Sequence, residues 1–370
     1  MKIFNKYTYL FAGLLVSASL VVLIVLPRFE KQEFDPNRVE DISSGVTTTS
    51  IPVENSQENT PPTTSSEISE VEQSEIEKLL IENIASEKIT NYKTYLLIGS
   101  DERDENSSAS RGFADGERAD VIIVGLIDED SSNHYLLSIP RDTLIVNTCT
   151  QNLERINATY SKNGCGNNAE NLAAAVSRIT GIEINHFASF NFEGFENIID
   201  SFDGIEICVE KTQREGFSFE LQEGCQVVSG ATALNWVVSR NTEILVGNKI
   251  LDENGEDASE WIKMSGVSDL SRNERQQYVI LQLLNKLDDF KSLNELNKFI
   301  NTLEDSFVID ENLTLNKAIN TLWSFRGIDF NSINKLSIPT SAYELEDGRQ
   351  VLIISRNFTE YAKEVGLITP

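Results

Sequence analysis

Three apolar runs, each bounded by polar residues, predict neighbouring strands of one sheet. They lie in the segments KTYLLIGSD (93–101), ADVIIVGLID (119–128) and HYLLSIPRD (134–142). Short aliphatic runs between turn-forming residues are typical of buried strands. The third strand must end at Pro140, because proline has no N–H to donate to a sheet ladder.

Apolar positions at helical spacing follow these strands. NAENLAAAVSRITG (168–181) predicts a helix that stops at Gly181, and the segment 184–209 predicts a strand, a helix and another strand. Further helices are predicted in GATALNWVVSR (230–240), RNERQQYVILQLLNKL (272–287), KSLNELNKFINTL (291–303) and LNKAINTLWSF (315–325), and a late strand in QVLIIS (350–355). Strands mixed with helices in one unit predict an α/β domain with a mixed central sheet flanked by helices.

An apolar run near the N-terminus predicts a membrane anchor. Tyr9 to Leu26 contains no charged residue and approaches the roughly 20 residues that span a bilayer. Two lysines precede the run, so the positive-inside rule favours a cytoplasmic tail over 1–8, a transmembrane helix over 9–27 and an extracytoplasmic remainder. The expected location is the cell membrane, with a single span. A cleaved signal peptide is the alternative, but no small-x-small cleavage pattern follows the run.

The segment 28–75 is rich in serine, threonine, proline and glutamate. Such a composition buries too little apolar surface to offset the entropy of ordering, so we predict a disordered, flexible tether. The globular domain is predicted over 76–370. A short helix with Ile76 and Leu80 on one face is expected at its beginning.

The net charge of the chain excludes some classes of binding partner. The 370 residues carry a formal net charge of −27, and nucleic-acid binding requires a basic face, so no nucleic-acid partner is expected. The two histidines, His134 and His186, lie far apart, which disfavours a histidine-based metal site or a Ser-His-Asp triad. Neither a P-loop nor a Rossmann glycine motif occurs.

Four cysteines fit an extracytoplasmic domain. No CxxC pair occurs, which disfavours zinc ribbons and thioredoxin chemistry. An even number of cysteines outside the membrane predicts two disulfides, with four free buried thiols as the alternative. Of the three pairings, we favour the local ones, Cys149 with Cys165 and Cys208 with Cys225, because each closes a short loop.

Charged side chains stand at the ends of the three predicted strands. Asp101 follows the first strand. Arg118 and Asp120 stand at the start of the second, and Arg141 follows Pro140. If the strands are neighbours, these groups meet at one edge of the sheet, where carboxylates suit Mg²⁺ shared with substrate phosphates and arginines suit phosphate oxygens. The alternative is a set of ordinary surface ion pairs.

Further arginines stand near predicted helices, and they enlarge the candidate basic pocket. They are Arg240, Arg272 and Arg275. Asp142, next to Arg141, either orients that arginine or caps a turn, and the sequence leaves both options open.

Six segments occur in an order that is typical of one protein family. They are LLIGSDER with RAD, LLSIPRDT, RINATYSKNG, FNFEGFENIIDSFDGIEICV, SGATALNWVVSR and DLSRNERQQYVI. Together, from about Tyr95 to Ile280, they resemble the LytR-CpsA-Psr (LCP) family of bacterial envelope proteins. The resemblance implies an LCP-like fold with an N-terminal membrane anchor and an outward-facing domain.

The resemblance also implies an activity and the residues that carry it. Family members transfer an anionic glycopolymer from an undecaprenyl-pyrophosphate carrier to peptidoglycan, forming a phosphodiester, and some hydrolyse polyprenyl pyrophosphate. Asp101 and Asp120 would hold Mg²⁺ (or Mn²⁺). The implied catalytic residues are Asp101, Arg118, Asp120 and Arg141, and the implied pyrophosphate-binding residues are Arg118, Arg141, Arg155, Arg240, Arg272 and Arg275. The lipid tail would lie in an apolar slot lined from NLAAAVSRI, FEGFENII and YVILQLL.

Two departures from the family pattern leave a second hypothesis open. Val238 stands where the family has an arginine, which removes one phosphate donor. A long segment, Ile244 to Ser268, precedes DLSR and is either a lid or acceptor-contacting loop beside the site, or a disordered surface insertion. The alternative to an enzyme is therefore a non-catalytic protein of the envelope that binds polyprenyl phosphate or serves as a scaffold.

Overall fold

The structure is a computed structural model that describes residues 30–44, 70–100, 118–128, 133–161, 165–255, 257–264, 269–303, 306–326 and 332–368. Its strands are β1 (Glu30–Gln32), β2 (Lys93–Ser100), β3 (Ala119–Ile127), β4 (Tyr135–Ser138), β5 (Leu144–Val146), β6 (Leu153–Arg155), β7 (His186–Phe190), β8 (Ile205–Val209), β9 (Gln213–Glu215), β10 (Phe219–Leu221), β11 (Gly224–Val228), β12 (Glu243–Val246), β13 (Glu260–Lys263), β14 (Val308–Asp310), β15 (Asn334–Ser337), β16 (Thr340–Glu344) and β17 (Gln350–Ile354). Its α-helices are α1 (Pro36–Ser44), α2 (Glu70–Asn83), α3 (Asn168–Thr180), α4 (Phe192–Asp200), α5 (Gly230–Val238), α6 (Asp269–Asn285), α7 (Leu293–Ile300), α8 (Leu315–Ser324) and α9 (Phe358–Glu364).

Seven strands form the central sheet, in the order β1–β14–β7–β2–β3–β4–β15. Strand β2 is antiparallel to β3 and parallel to β7, and β3 is antiparallel to β4. The outer pairs β1/β14 and β4/β15 are parallel. The predicted mixed sheet is confirmed, and the three strands expected to be neighbours are adjacent.

Helices cover both faces of this sheet because its apolar residues alternate in direction. Ile122 and Val124 of β3 belong to the core that contains α3, whereas Ile123 packs with Leu281 of α6 on the opposite face. A further apolar cluster joins α4, α5 and α6 beside the sheet. The functional cleft described below lies between this cluster and the ends of the central strands.

Local sequence signals set both ends of α3. At its start, the Asn167 side chain accepts the Glu170 N–H at 3.0 Å and the Glu170 carboxylate accepts the Asn167 N–H at 3.2 Å, which is a capping box. At its end, Gly181 has a φ of 69°, and a Cβ there would lie 2.2 Å from the backbone oxygen of Glu87. The helix therefore stops at Gly181, as the sequence predicts.

Residues 30–44, which fall inside the predicted tether, are part of the fold. Strand β1 pairs with β14, and α1 packs on α3. Phe34, Val39 and Ile42 are buried in the main core. The prediction of a disordered segment over 28–75 is therefore wrong for residues 30–44, because a few well-placed apolar residues find partners in a polar stretch.

A buried carboxylate fastens this N-terminal segment to the domain. Glu170 of α3 accepts the backbone N–H of Asp35 at 3.0 Å and the guanidinium of Arg38 at 3.1 Å, and its side chain has no exposed surface. A buried charge is tolerated where hydrogen bonds and an opposite charge satisfy it. The bonds of Glu170 therefore hold the segment to α3, in addition to the pairing of β1 with β14.

The remaining N-terminal predictions concern other parts of the chain. The cytoplasmic tail (1–8) and the transmembrane helix (9–27) lie outside the described residues. Among the helices that the structure describes, none combines the length and the apolar character needed to cross a bilayer. The predicted first helix of the domain begins earlier than expected, at Glu70 instead of Ile76.

Both predicted disulfides are present. Cys149 is bonded to Cys165, with their Cα atoms 5.5 Å apart. Cys208 is bonded to Cys225, and the two residues stand directly opposite each other in the antiparallel pair β8/β11. The local pairing is thus confirmed, and the alternative of free thiols is excluded by the structure.

Candidate functional site

The ends of β2, β3 and β4 meet at one edge of the sheet and bring two predicted site residues together. Asp120, at the start of β3, accepts a hydrogen bond from the guanidinium of Arg141, which follows β4. The turn after Pro140 is fixed because the Pro140 carbonyl accepts both the N–H and the hydroxyl of Thr143, at 3.0 Å and 2.6 Å. The strand end thus holds Arg141 in place.

Asp142 lies among three arginines. Its carboxylate oxygens are 3.6 Å from Nε of Arg141, 3.4 Å from Nε of Arg155 and 4.0 Å from Nη2 of Arg272. These ion-pair contacts favour the option that Asp142 orients Arg141. Within this group, three guanidinium groups face the carboxylates of Asp120 and Asp142, so one positive charge is in excess.

Arg272 is the most deeply placed cation of this cluster. Burial, together with the neighbouring Arg141, lowers the pKa of Arg272 to about 10, while Asp142 and Asp120 act in the opposite direction. The side chain still carries its charge at neutral pH. A buried cation beside other cations favours an anionic ligand, which would relieve the repulsion between them.

An apolar cleft opens beside this charged cluster. It encloses ≈ 700 Å³, including its open mouth, and its lining residues are Gly99, Asp120, Val121, Arg141, Phe190, Phe192, Phe195, Leu234, Val237, Val238, Arg240, Arg272, Gln276 and Ile280. One end is therefore cationic, and the body is aromatic and aliphatic. Such a cleft suits a ligand with an anionic head and an apolar tail.

A glycine keeps the floor of the cleft open. Gly99, the residue before the last of β2, pairs with Val121, and a Cβ at this position would lie 2.8 Å from Cγ2 of Val121 and 3.3 Å from the ring of Phe190. A larger residue would therefore collide with the side chains of two neighbouring strands. The sequence pattern of an apolar strand ending in Gly-Ser-Asp carries this signal.

The other predicted residues are placed as follows. Arg240 is exposed at the rim of the cleft. Arg118 is exposed at the start of β3 and does not line the cleft. Arg155 joins the cluster through Asp142 and also donates to the Gln350 carbonyl at 2.7 Å. Asp101 directly follows β2 but lies outside the described residues.

The structure separates Arg275 from the cleft. Its Nη1 donates to the backbone oxygen of Trp236 at 2.9 Å, and its guanidinium lies 5.2 Å from the centre of the Trp236 ring. Burial lowers the pKa of Arg275. We therefore assign Arg275 to the packing of α6 against α5 and leave it out of the proposed phosphate-binding set.

The predicted lipid slot is partly corrected. FEGFENII supplies Phe192 and Phe195, and YVILQLL supplies Ile280. NLAAAVSRI lies in α3, whose apolar residues are buried in the core on the other side of the sheet, so it does not line the cleft. The sequence analysis did not predict that Phe190, Leu234, Val237 and Gln276 line the cleft. Phe190 pairs with Gly99 in the parallel strands β7 and β2, so a correct prediction of that pairing would have placed it there.

Comparison with known proteins identifies the family of the chain. A sequence model of the LytR_cpsA_psr family matches residues 46–364. The chain belongs to the LytR_cpsA_psr family. The resemblance read from the six sequence segments is thereby confirmed.

Individual LytR_cpsA_psr relatives are distant. The chain is 32% identical over 157 residues to the probable cell wall biosynthesis protein LcpB of Corynebacterium glutamicum, covering 40% of this chain and 36% of that protein. It is 24% identical over 229 residues to the polyisoprenyl-teichoic acid–peptidoglycan teichoic acid transferase TagV of Bacillus subtilis, covering 60% and 52%. The matches thus span about a third to a half of these relatives.

Solved structures of the LytR_cpsA_psr family share the fold. The crystal structure of B. subtilis TagV superposes with a TM-score of 0.56 at 20% identity, over 76% of this chain and 99% of that one. A structure described as TagT bound to LI-WTA gives a TM-score of 0.52 at 17% identity, over 75% and 90%. At these identities the likeness establishes the architecture alone.

The structure shows where the two departures from the LytR_cpsA_psr sequence pattern lie. Val238, at the end of α5, is partly exposed and lines the cleft. The long segment that begins at Ile244 contributes most of a β-hairpin, β12–β13, which joins β9 at the side of the domain. Among the described residues 243–264, none lines the cleft, so the hairpin does not act as a lid in this structure.

Proposed function

We propose that this protein is a phosphotransferase of cell-wall assembly that moves an anionic glycopolymer from a polyprenyl-pyrophosphate carrier to peptidoglycan. The observation that carries the proposal is the cleft itself, in which Arg141 and Arg272 stand at one end of an aromatic and aliphatic channel. A pyrophosphate between a lipid and a glycan matches this order of charge and apolar surface. The related TagV, a polyisoprenyl-teichoic acid–peptidoglycan teichoic acid transferase, and the related structure of TagT bound to LI-WTA support the same class of substrate.

The proposed reaction is a phosphoryl transfer at the phosphorus that bears the glycan. A hydroxyl oxygen of the acceptor attacks the phosphorus that bears the glycan, and a new P–O bond forms. The bond from that phosphorus to the bridging oxygen breaks, and polyprenyl phosphate leaves with the electron pair. The hydroxyl proton passes to a base or to water. The products are a glycan phosphodiester and a lipid monophosphate, so atoms and charge balance.

The arginines would act by positioning and by charge stabilisation. Phosphoryl transfer depends mainly on these two effects, since the protein forms no covalent bond with the substrate. Arg141 and Arg272 would bind pyrophosphate oxygens inside the cleft, and Arg240 would contact them from the rim. Asp142 would hold Arg141, Arg155 and Arg272 in a fixed relation before the substrate arrives.

A divalent cation is part of the proposal. Mg²⁺ (or Mn²⁺) takes oxygen ligands, and Asp120 offers a carboxylate at the rim of the cleft. Asp101, which directly follows β2 in the sequence, would supply the second. When bound, such an ion neutralises charge on phosphate oxygens. Arg141 shares the Asp120 carboxylate in this structure, which ties the proposed metal ligand to the proposed phosphate donor.

The second candidate is a non-catalytic protein that binds polyprenyl phosphate. The observation that favours it is Val238, an apolar residue on the cleft wall where the family has an arginine. A third outcome, hydrolysis of the polyprenyl pyrophosphate, needs only that water takes the place of the acceptor hydroxyl.

One experiment separates these functions. The full-length protein in detergent micelles is incubated with a short-chain polyprenyl-pyrophosphate-linked glycan and a peptidoglycan fragment, and ³¹P NMR follows the phosphorus atoms. Transfer converts the diphosphate signals into one phosphodiester and one phosphomonoester. Hydrolysis yields two monoesters. Bound but unchanged diphosphate supports the non-catalytic candidate and contradicts the proposed enzyme.

Restoring the family arginine should strengthen anion binding. Val238→Arg places a guanidinium on the cleft wall, and a hydrogen bond to a charged group contributes about 1.5–3 kcal/mol. We expect roughly tenfold tighter binding of polyprenyl pyrophosphate, since about 1.4 kcal/mol corresponds to tenfold in affinity. The gain should shrink at high salt, because part of it is screened attraction. Isothermal titration at two salt concentrations measures both.

A neutral substitution provides the control. Val238→Gln introduces a shorter polar side chain without a charge, so it should leave the affinity within about twofold of the original, in line with the modest net value of a neutral hydrogen bond. The contrary result would be that Val238→Arg weakens binding and lowers the melting temperature by several degrees. That result would mean that the new side chain is buried in the core and that position 238 does not line the cleft.

A further inference from the structure

The register of the central sheet places the first described residue of the chain at the edge that carries the cleft. Glu30 pairs with Val308, and Val308 pairs with Ser189. Ser189 pairs with Ile98, which pairs in turn with Ile122 of β3. These five residues form one row across five strands, β1, β14, β7, β2 and β3. The row lies one residue from Gly99, Val121 and Phe190, which line the cleft.

The directions of the strands show at which edge of the sheet the chain enters β1. Strand β2 runs toward the cleft and ends at Gly99 and Ser100, and β7 runs parallel to it and ends at Phe190. Strand β14 is antiparallel to β7, and β1 is parallel to β14, so β1 runs away from the cleft. Glu30, where the chain enters β1, therefore stands at the end of that strand nearer the cleft edge of the sheet.

The predicted anchor ends only a short length of chain before β1. The predicted apolar anchor ends at Leu26, so four residue steps separate it from Glu30 and span at most about 14 Å. Strands β1 and β2 are three positions apart, or about 14 Å at the usual strand spacing. The headgroup layer of one leaflet is about 5–8 Å thick. If the anchor spans the bilayer, the start of β1 therefore lies within about 14 Å of the end of the anchor, at or just beyond the headgroup layer.

The attachment of β1 is firm enough to transmit an orientation. The Gln32 carbonyl accepts the Glu311 N–H at 3.0 Å, and the Phe34 carbonyl accepts Nδ2 of Asn312 at 2.9 Å. Phe34 itself is buried, and the bonds from Glu170 to the following residues were described above. Because both the backbone and the side chains of this segment are bound to the domain, β1 cannot rotate freely relative to the domain.

We propose that β1 orients the domain on the membrane so that the cleft edge of the sheet faces the lipid headgroups. The diphosphate of a membrane lipid lies at headgroup depth, so the arginines would reach it while most of the apolar tail stays in the bilayer. The identity of that lipid rests on the proposed function, whereas the orientation rests on the sheet register and the predicted anchor. The segment 45–69 follows α1 and is not the connection between anchor and cleft.

Depth-dependent quenching of a fluorophore tests the orientation without any measurement of activity. Two exposed glutamates flank β7, Glu183 at the start and Glu193 just past the end on the cleft side, and each is changed to cysteine in the full-length protein and labelled with a thiol-reactive fluorophore. The protein is reconstituted into phosphatidylcholine and phosphatidylglycerol vesicles that contain a lipid with a nitroxide headgroup. We expect severalfold stronger quenching of the Glu193→Cys label than of the Glu183→Cys label.

Insertions assign the effect to β1. A Gly/Ser segment of about eight residues placed between Phe29 and Glu30 adds about 15 Å of flexible reach and should remove the difference in quenching. The same insertion between Glu54 and Asn55 should leave the difference unchanged. Equal or reversed quenching in the unmodified chain overturns the proposal, as does a chain that fails to float with the vesicles. Because no turnover is measured, failure of the proposed enzyme activity would leave this result standing.

Discussion

Replacing Arg141 with alanine should lower the rate of phosphoryl transfer by about 10²–10³. The loss is of the size seen when one donor to a developing negative charge is removed from a preorganised site. Arg141 is bound to Asp120, contacts Asp142 and lines the cleft, so its guanidinium is held in place before the substrate arrives. The ³¹P assay under saturating donor measures the rate, and a lipid-binding isotherm measures the affinity separately.

Two further variants make the Arg141 result specific. Arg141→Lys should recover only part of the rate, because an ammonium group cannot present the planar fork of a guanidinium to phosphate. Arg349→Ala removes a surface arginine that is paired with Asp347, and should change neither rate nor affinity. The melting temperature of Arg141→Ala should fall modestly, since Asp120 loses its partner. An Arg141→Ala protein with normal binding and turnover would refute the site assignment.

Phe34→Ala should destabilise the domain by about 3–5 kcal/mol. This is the usual cost of truncating a buried phenylalanine, because contacts are lost and a cavity remains. Phe34 has 1% of its surface exposed and lies against Phe187 of β7, with the ring centres 5.2 Å apart. Equilibrium unfolding in urea, monitored by tryptophan fluorescence, gives the free energy of unfolding.

Phe217 provides a matched control for Phe34. It lies in the turn between β9 and β10 and is fully exposed, so Phe217→Ala should change the free energy of unfolding by no more than about 0.5 kcal/mol. If the two alanine variants are equally stable, residues 30–44 are not an integral part of the domain. Hydrogen exchange would separate the two ways of losing stability, since local detachment would expose only β1 and α1 to solvent.

The same segment changes the expected limits of a stable fragment. A chain that begins near Ser86 would lack α1, and the face of α3 that α1 covers would become exposed apolar surface. A fragment that retains Glu30 keeps this cover and the edge strand. Domain boundaries drawn from composition alone would therefore remove part of the core.

The parts of this structure that the sequence predicts are those governed by local rules. A continuous apolar run marks β3, Gly181 marks the end of α3, and Pro140 marks the end of β4 and the turn that carries Arg141. The meeting of Asp120 with Arg141 follows once the strands are taken as neighbours. Each of these inferences needs only a few consecutive residues and the geometry of one element.

The parts that the sequence does not predict depend on distant partners. Residues 30–44 look like a tether because their composition is polar, and only Glu170, more than a hundred residues away, shows what binds them. Arg272 and Arg275 lie three residues apart on α6, a separation that turns two side chains about 60° from each other. One enters the cleft and the other lies against Trp236, and the sequence contains no local sign of which is which.

The hairpin β12–β13 has a closed base, because the carbonyl of Thr242 accepts the N–H of Met264 at 2.9 Å. The chain therefore leaves and returns at nearly the same point, between Arg240 on one side and the helix of Arg272 on the other. Lengthening such an excursion costs little, since the entropy of loop closure grows only with the logarithm of its length. The length and the side chains of this hairpin can therefore change while Arg240 and Arg272 keep their positions. Related proteins can differ here without a change in the arginines of the cleft.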